Sequence, residues 1–224
     1  MPSPIRPLAI LALCSGVLAL GSFAAMRSLR AGVEPGQAPD PLAPDPGMDA
    51  LSIPPFALTA QDGRPVSEAD LVGGVTIMDF FFSRCPFICP PMSRNMRRCQ
   101  DELAGTGVRL LSVSVDPEHD TPERLADYAR DLGADPRVWT FATGPIETVS
   151  RILTEGLMLA PPTPSATQRI TFADGGSMAN IAHPSHFVLI GPGGEILGLY
   201  SGLDGEQVGA LIERARAASV AVAP

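Results

Sequence analysis

Two cysteines stand four positions apart in "FFFSRCPFICPPMSRNM" (Phe80–Met96): Cys85 and Cys89, each followed by proline. An apolar, strand-like run precedes them and a helix-like run follows. Residues i and i+4 share one helix face, a turn apart, so thiols at this spacing can meet. Cys85 is expected at the strand-to-helix turn, beside free helix N–H groups that stabilise a thiolate and lower its pKa. Two chemistries are open: closure of a disulfide, or capture of a soft metal such as Cu(I), zinc or iron–sulfur. Two thiolates alone leave copper or zinc under-coordinated, so a third ligand must come from elsewhere. The chain has three histidines, His119, His183 and His186. His119 lies in the polar loop "VDPEHDTP" and reads as solvated. His183 and His186 flank Pro184 and Ser185 just before the apolar run "FVLI", and either one can supply the ligand.

The elements that must position these residues follow from hydrophobic patterning. "VTIMDFFF" (Val75–Phe82) and "VRLLSVSV" (Val108–Val115) are short apolar runs suited to buried strands. Between them, "PPMSRNMRRCQDELAG" opens with proline in a first helical turn and stops near Gly105. "TPERLADYARDLG" predicts a helix with Thr121 as N-cap, Pro122 at the first helical position and Gly133 at the C-terminus. "VWTFAT" predicts a strand and "PIETVSRILTEG" a helix. "SHFVLIGPGGEILGLYSG" predicts two strands joined at "GPGG". "DGEQVGALIERARAA" closes as an amphipathic helix. The order β-α-β-α, then β-β-α, is that of an α/β thioredoxin-like fold: a central mixed sheet flanked by helices. In such a fold the start of "FVLI" lies beside the cysteine turn.

Composition narrows the chemistry. The 224 residues carry a net charge of −8, with no basic stripe, which argues against a nucleic-acid partner. All 16 basic residues are arginine, which excludes a P-loop lysine and any Schiff-base lysine.

"PLAILALCSGVLALGSFAAM" (Pro7–Met26) is uncharged and, at about 1.5 Å per residue, long enough as a helix to cross roughly 30 Å of hydrocarbon. Arg6 precedes it and Arg27 and Arg30 follow, so charge leaves its orientation open. A retained N-terminal membrane anchor over residues 1–30 is preferred; a cleaved signal is the competing reading. Cys14 inside it is a small apolar residue of a membrane segment. Residues 31–54, rich in proline, glycine and aspartate, read as a tether in which Asp40 and Asp45 are solvating charges. The folded domain is expected over 55–218. Export places Cys85, Cys89 and Cys99 in an oxidising compartment, and their odd count fits reactive or metal-binding thiols better than a structural staple. Cys99 lies too far along the helix, about 15 Å, to join Cys85 and Cys89, and reads as a buried thiol. Met92 and Met96 continue the face of Cys89 and read as core.

Three stretches resemble the Sco/SenC family of copper-binding, thioredoxin-like proteins. "CPFIC" followed by Pro90 resembles the family's C-P-x-x-C-P. "SVDPEHDTPERLADYA" (Ser114–Ala129) resembles V-D-P-x-x-D-T-P-x-x-L-x-x-Y. "HPSHFVLIGPGGEI" resembles H-x-x-x-x-Y-L-I-x-P-x-G, with Val188 in place of the aromatic residue and Pro184 directly after the histidine. The likeness runs from about Pro54 to Ala217. In the family the metal-binding histidine lies nine residues before the proline of the turn, here His183 nine before Pro192. The resemblance therefore implies Cys85, Cys89 and His183 as ligands of copper, as Cu(I) or Cu(II), with His186 the fallback. It implies a membrane-tethered copper chaperone in a bacterial periplasm, anchored in the inner membrane. A copper donor protein would load it, and it would deliver copper to the dinuclear site of cytochrome c oxidase subunit II. A Cys85–Cys89 disulfide would abolish the site, and on a helix the two Cα atoms would lie about 6 Å apart, within disulfide range. Asp116 is expected to order the loop near the site or to close an Asx turn. The alternative is a thiol–disulfide oxidoreductase that uses Cys85 and Cys89 as its catalytic redox pair and reduces the oxidase cysteines before metal insertion. A copper or redox sensor has no sequence support. A peroxidase with Arg84 beside a reactive cysteine leaves Cys89 without a use.

Overall fold

The computed structural model describes residues 39–222. The expected membrane segment Pro7–Met26 lies outside them. Among the described residues no helix is long and apolar enough to cross a membrane.

The centre of the molecule is β3 (Thr76–Phe81), buried along its whole length. A strand buried residue by residue must be covered on both faces, which explains its continuous apolar run. It pairs in parallel with β4 (Arg109–Ser114), which pairs in parallel with β5 (Trp139–Thr143). On its other side it pairs antiparallel with β8 (His186–Ile190), and β8 with β9 (Ile196–Ser201). A hairpin of β1 (Ala57–Ala60) and β2 (Pro65–Ser67) extends the far edge, giving the order β2-β1-β5-β4-β3-β8-β9. The helices are α1 (Cys89–Glu102), α2 (Pro122–Leu132), α3 (Ile146–Arg151, continued by a π-helical turn Ile152–Gly156) and α4 (Gly205–Val222). α1 packs on α4, and α2 on β5. The caps of α2 are those the sequence predicts: the Thr121 hydroxyl accepts from the Arg124 N–H, and Gly133 closes the helix at φ 69°.

Three local features depart from expectation. Cys85 stands in the strand-to-helix turn as expected, its N–H donating to the Phe82 carbonyl, but it does not share a helix with Cys89, because α1 begins at Cys89. Residues 40–54 are no extended tether: Leu42, Met48, Leu51 and Ile53 pack on the core. There the Asp45 N–H donates to Leu197, its carboxylate pairs with Arg214 at 2.8 Å, and Ser52 bridges Glu195. The apolar residues dispersed among the prolines are enough to dock the segment, and Asp45 is an ion-pair partner rather than a solvating charge. Two hairpins are additional, β1–β2 and the separate pair β6 (Thr163–Thr171) and β7 (Ser177–Ala182). β6 is mostly exposed and β7 only half-buried, so their sequences lack the apolar signal of a covered strand.

Candidate metal centre

The turn that presents Cys85 is held from the loop after β4. The Asp120 carboxylate, fully buried, accepts from the Ser83 N–H at 3.0 Å and from the Ser83 hydroxyl. It also accepts from the Ser114 hydroxyl at 2.5 Å. Asp116 binds the next residue, taking an Arg84 Nη2 donor at 2.9 Å, while its own N–H donates to Ser114 Oγ. The two aspartates of "VDPEHD" thus fix the two residues before Cys85. Asp116 also accepts the N–H groups of His119 and Asp120 at its carbonyl, so it orders the loop by backbone and side chain together.

Pro90 and Pro91 are the second and third residues of α1, where their missing N–H groups cost nothing. Backbone hydrogen bonding from Cys89 and Phe87, beside this helix start, favours a charged Cys85 sulfur. The Cys89 thiol donates to Cys85 as well. The shared proton and these donors outweigh burial, and hold Cys85 far below the usual thiol range. Cys89 is pushed up, because it keeps the shared proton, is buried, and faces the Cys85 charge. Cys85 is therefore the thiolate and Cys89 the thiol.

His183 follows β7, at the base of the β6–β7 hairpin. Its Nε2 lies 3.4 Å from Cys89 Sγ, and its ring stands edge-on to Phe82 with centroids 5.7 Å apart. Its Nδ1 lies 3.1 Å from the Pro184 carbonyl. A carbonyl only accepts, so Nδ1 carries the proton and the Nε2 lone pair faces the thiols. The loop after His183 is tied to α1: Gly202 N–H donates to Ser185 O, and Asn95 Nδ2 donates to Gly202 O, each at 2.7 Å. One donor atom from each of Cys85, Cys89 and His183 lies within 4.8 Å of the others. Ligands about 2.0–2.3 Å from one metal stand roughly 3.3–4 Å apart, so a small contraction makes this group a coordination sphere. Two sulfurs and an imidazole suit a soft or borderline ion.

The remaining candidates fall elsewhere. His186 opens β8 outside this three-residue group, with a buried Nδ1 that has no hydrogen-bond partner among the described residues. His119 sits in the loop after β4. Cys99 is fully buried on α1, and burial pushes its thiol up to about 12. Met92 and Met96 are fully buried core residues. Sequence reasoning passed over Asp79, a buried carboxyl in the middle of β3. Desolvation raises its pKa to about 7, against a hydrogen bond from Ser112 Oγ at 2.5 Å, and Trp139 Nε1 donates to the same hydroxyl. An aspartate inside "TIMDFF" was the available signal. It also passed over the roles of Ser83, which no local pattern marks, and of Asp120, which the V-D-P-x-x-D-T-P stretch marks without saying what it binds.

A mixed sheet with a Cys–Cys–His cluster at the strand-to-helix turn defines a thioredoxin-fold protein built to hold a soft metal or a redox pair. The chain belongs to the SCO1/SenC family, whose model matches residues 45–217. It is 31% identical over 170 residues to the SCO1 protein homolog of Bacillus subtilis, covering 75% of this chain and 82% of that one. It is 28% identical over 151 residues to a putative copper-binding protein of Stutzerimonas stutzeri, covering 66% and 68%. Of the longer human mitochondrial SCO1 homolog the match spans 45%. The solved structure of BsSco, a Sco-family cytochrome c oxidase assembly protein with a disulfide switch, superposes with a TM-score of 0.63 at 30% identity. The superposition covers 79% of this chain and 97% of that one.

Proposed function

We propose that this chain binds copper through Cys85, Cys89 and His183 and carries it as cargo for cytochrome c oxidase assembly. The observation that carries the reading is the convergence of these three donors within 4.8 Å. Family membership supports it, as do the copper-binding description of the Stutzerimonas relative and the oxidase-assembly role of BsSco. Cys85 offers a thiolate before metal arrives, His183 offers Nε2, and Cys89 completes the set by releasing its proton. Loading would come from a copper donor protein, and delivery would go to the dinuclear copper site of oxidase subunit II. Residues 1–30 would anchor the chain in a bacterial inner membrane with the domain in the periplasm.

A second reading rests on the thiol pair itself. A low-pKa Cys85 in contact with the protonated Cys89 is also the arrangement of a thiol–disulfide exchanger, Cys85 being the nucleophile. The two readings separate on the reduced full-length protein. One tightly bound copper, lost in Cys85→Ala and weakened in His183→Ala, with the Cu(II) form followed by EPR, supports the carrier. Absence of tight copper together with rapid disulfide exchange, unaffected by His183→Ala, overturns it in favour of the oxidoreductase.

A further inference from the structure

The β6–β7 hairpin forms its own two-stranded sheet, outside the hydrogen-bonded ladder of the main sheet. It nonetheless delivers His183. Its contacts to the body are therefore what determine where the imidazole sits. At the tip, Phe172 packs on the core and lies under the Arg84 guanidinium, with Arg84 Cζ 5.1 Å from the ring centroid. Arg84 immediately precedes Cys85. Its Nη2 donates to Asp116, whose side chain is 9% exposed, and its Nε is buried with no partner among the described residues. The guanidinium is thus held by one carboxylate at its edge and one aromatic face, and gives up a hydrogen bond at Nε to stay there. A cation held over a ring in a partly desolvated setting is attracted to the ring's electron-rich face.

We propose that Arg84 is a positioning residue for His183: braced by Asp116 and stacked on Phe172, it pins the hairpin tip to the cysteine turn. The strand that ends in His183 is then fixed at both ends, by Arg84 at the tip and by the thiols at the base. The cysteine turn thereby holds its own third ligand in place. The inference rests on the metal-site reading above, and its test is chosen to separate the two.

The test uses the full-length reduced protein with Arg84→Gln, Phe172→Leu and Phe172→Tyr. Gln keeps a donor for Asp116 without charge; Leu keeps apolar volume without a π face; Tyr keeps the face. In the metal-free proteins, amide exchange over residues 163–182 should rise about three- to tenfold in Arg84→Gln and Phe172→Leu, with no change in β3 or β4. The NMR signals of the His183 ring should shift in the same two variants and return in Phe172→Tyr. Unchanged His183 signals overturn the proposal whether or not the wild type binds copper. With Cu(I) and a competing chelator, both variants should lose about three- to tenfold in affinity, and lose nothing further in a His183→Ala background. An undiminished loss in that background overturns the proposal, because Arg84 would then act without His183. Shifted His183 signals in a wild type that binds no copper would support the positioning and overturn the metal reading instead.

Discussion

The Asp120 carboxylate receives both the backbone N–H and the hydroxyl of Ser83, two residues ahead of Cys85 and thirty-seven positions away in the chain. A buried acceptor from the loop after β4 therefore sets the path of the cysteine turn. In Asp120→Asn one oxygen becomes an NH₂ that faces donors. We expect a loss of about 1–3 kcal/mol in denaturant unfolding, and weaker copper binding even where the protein remains folded. An equal unfolding midpoint with unchanged copper affinity would contradict this role.

Cys85 ionises first, and that has a readable consequence. At pH 6 the reduced, metal-free protein should be alkylated at Cys85 and spared at Cys89, as mapped by mass spectrometry. A thiol pKa depressed by folding contributes stability above its unfolded value, and that contribution is lost as pH falls through the folded value. Acidification toward pH 4 should therefore destabilise the wild type more than Cys85→Ala.

Asp79 gives the opposite sign. Its carboxyl titrates near 7 in the fold against 3.8 unfolded, because burial disfavours its charge. The wild type should be most stable below the unfolded value, and lose this contribution as pH rises through about 7. Asp79→Asn removes the titration, so the variant should gain on the wild type between pH 4 and pH 8, by at most about 4 kcal/mol. Trp139, the sole tryptophan, is linked to Asp79 through Ser112, so its emission should follow the same transition. A flat fluorescence profile across neutral pH would count against it.

The segment before Met48 belongs to the folded unit. Arg214 donates to Asp45 and to the carbonyls of Pro41 and Ala43. A protein that starts at Met48 should unfold about 1–2 kcal/mol more easily than one that starts at Pro39. Arg214→Gln in the longer form should reproduce most of that loss in thermal melts. Identical melting of the two lengths would show that the docked segment contributes nothing.

The sequence alone determined the parts whose signals are local. Apolar runs such as Val75–Phe82 and Val108–Val115 mark strands covered on both faces, and a capped pattern such as Thr121–Gly133 marks its helix. Two cysteines beside prolines at a strand-to-helix junction mark a reactive turn without any distant information. Tertiary structure decided what depends on partners far apart in the chain. Only the folded protein brings Nε2 of His183 to 3.4 Å from Cys89, because the partly exposed hairpin that carries it has no hydrophobic period to read. Only folding assigns Cys85 the charge and Cys89 the proton, because that asymmetry arises from backbone hydrogen bonds and burial. The same holds for the partners of Arg84, Asp116 and Asp120: the sequence pattern marks the two aspartates, but the donors they bind are set by what the fold places against them.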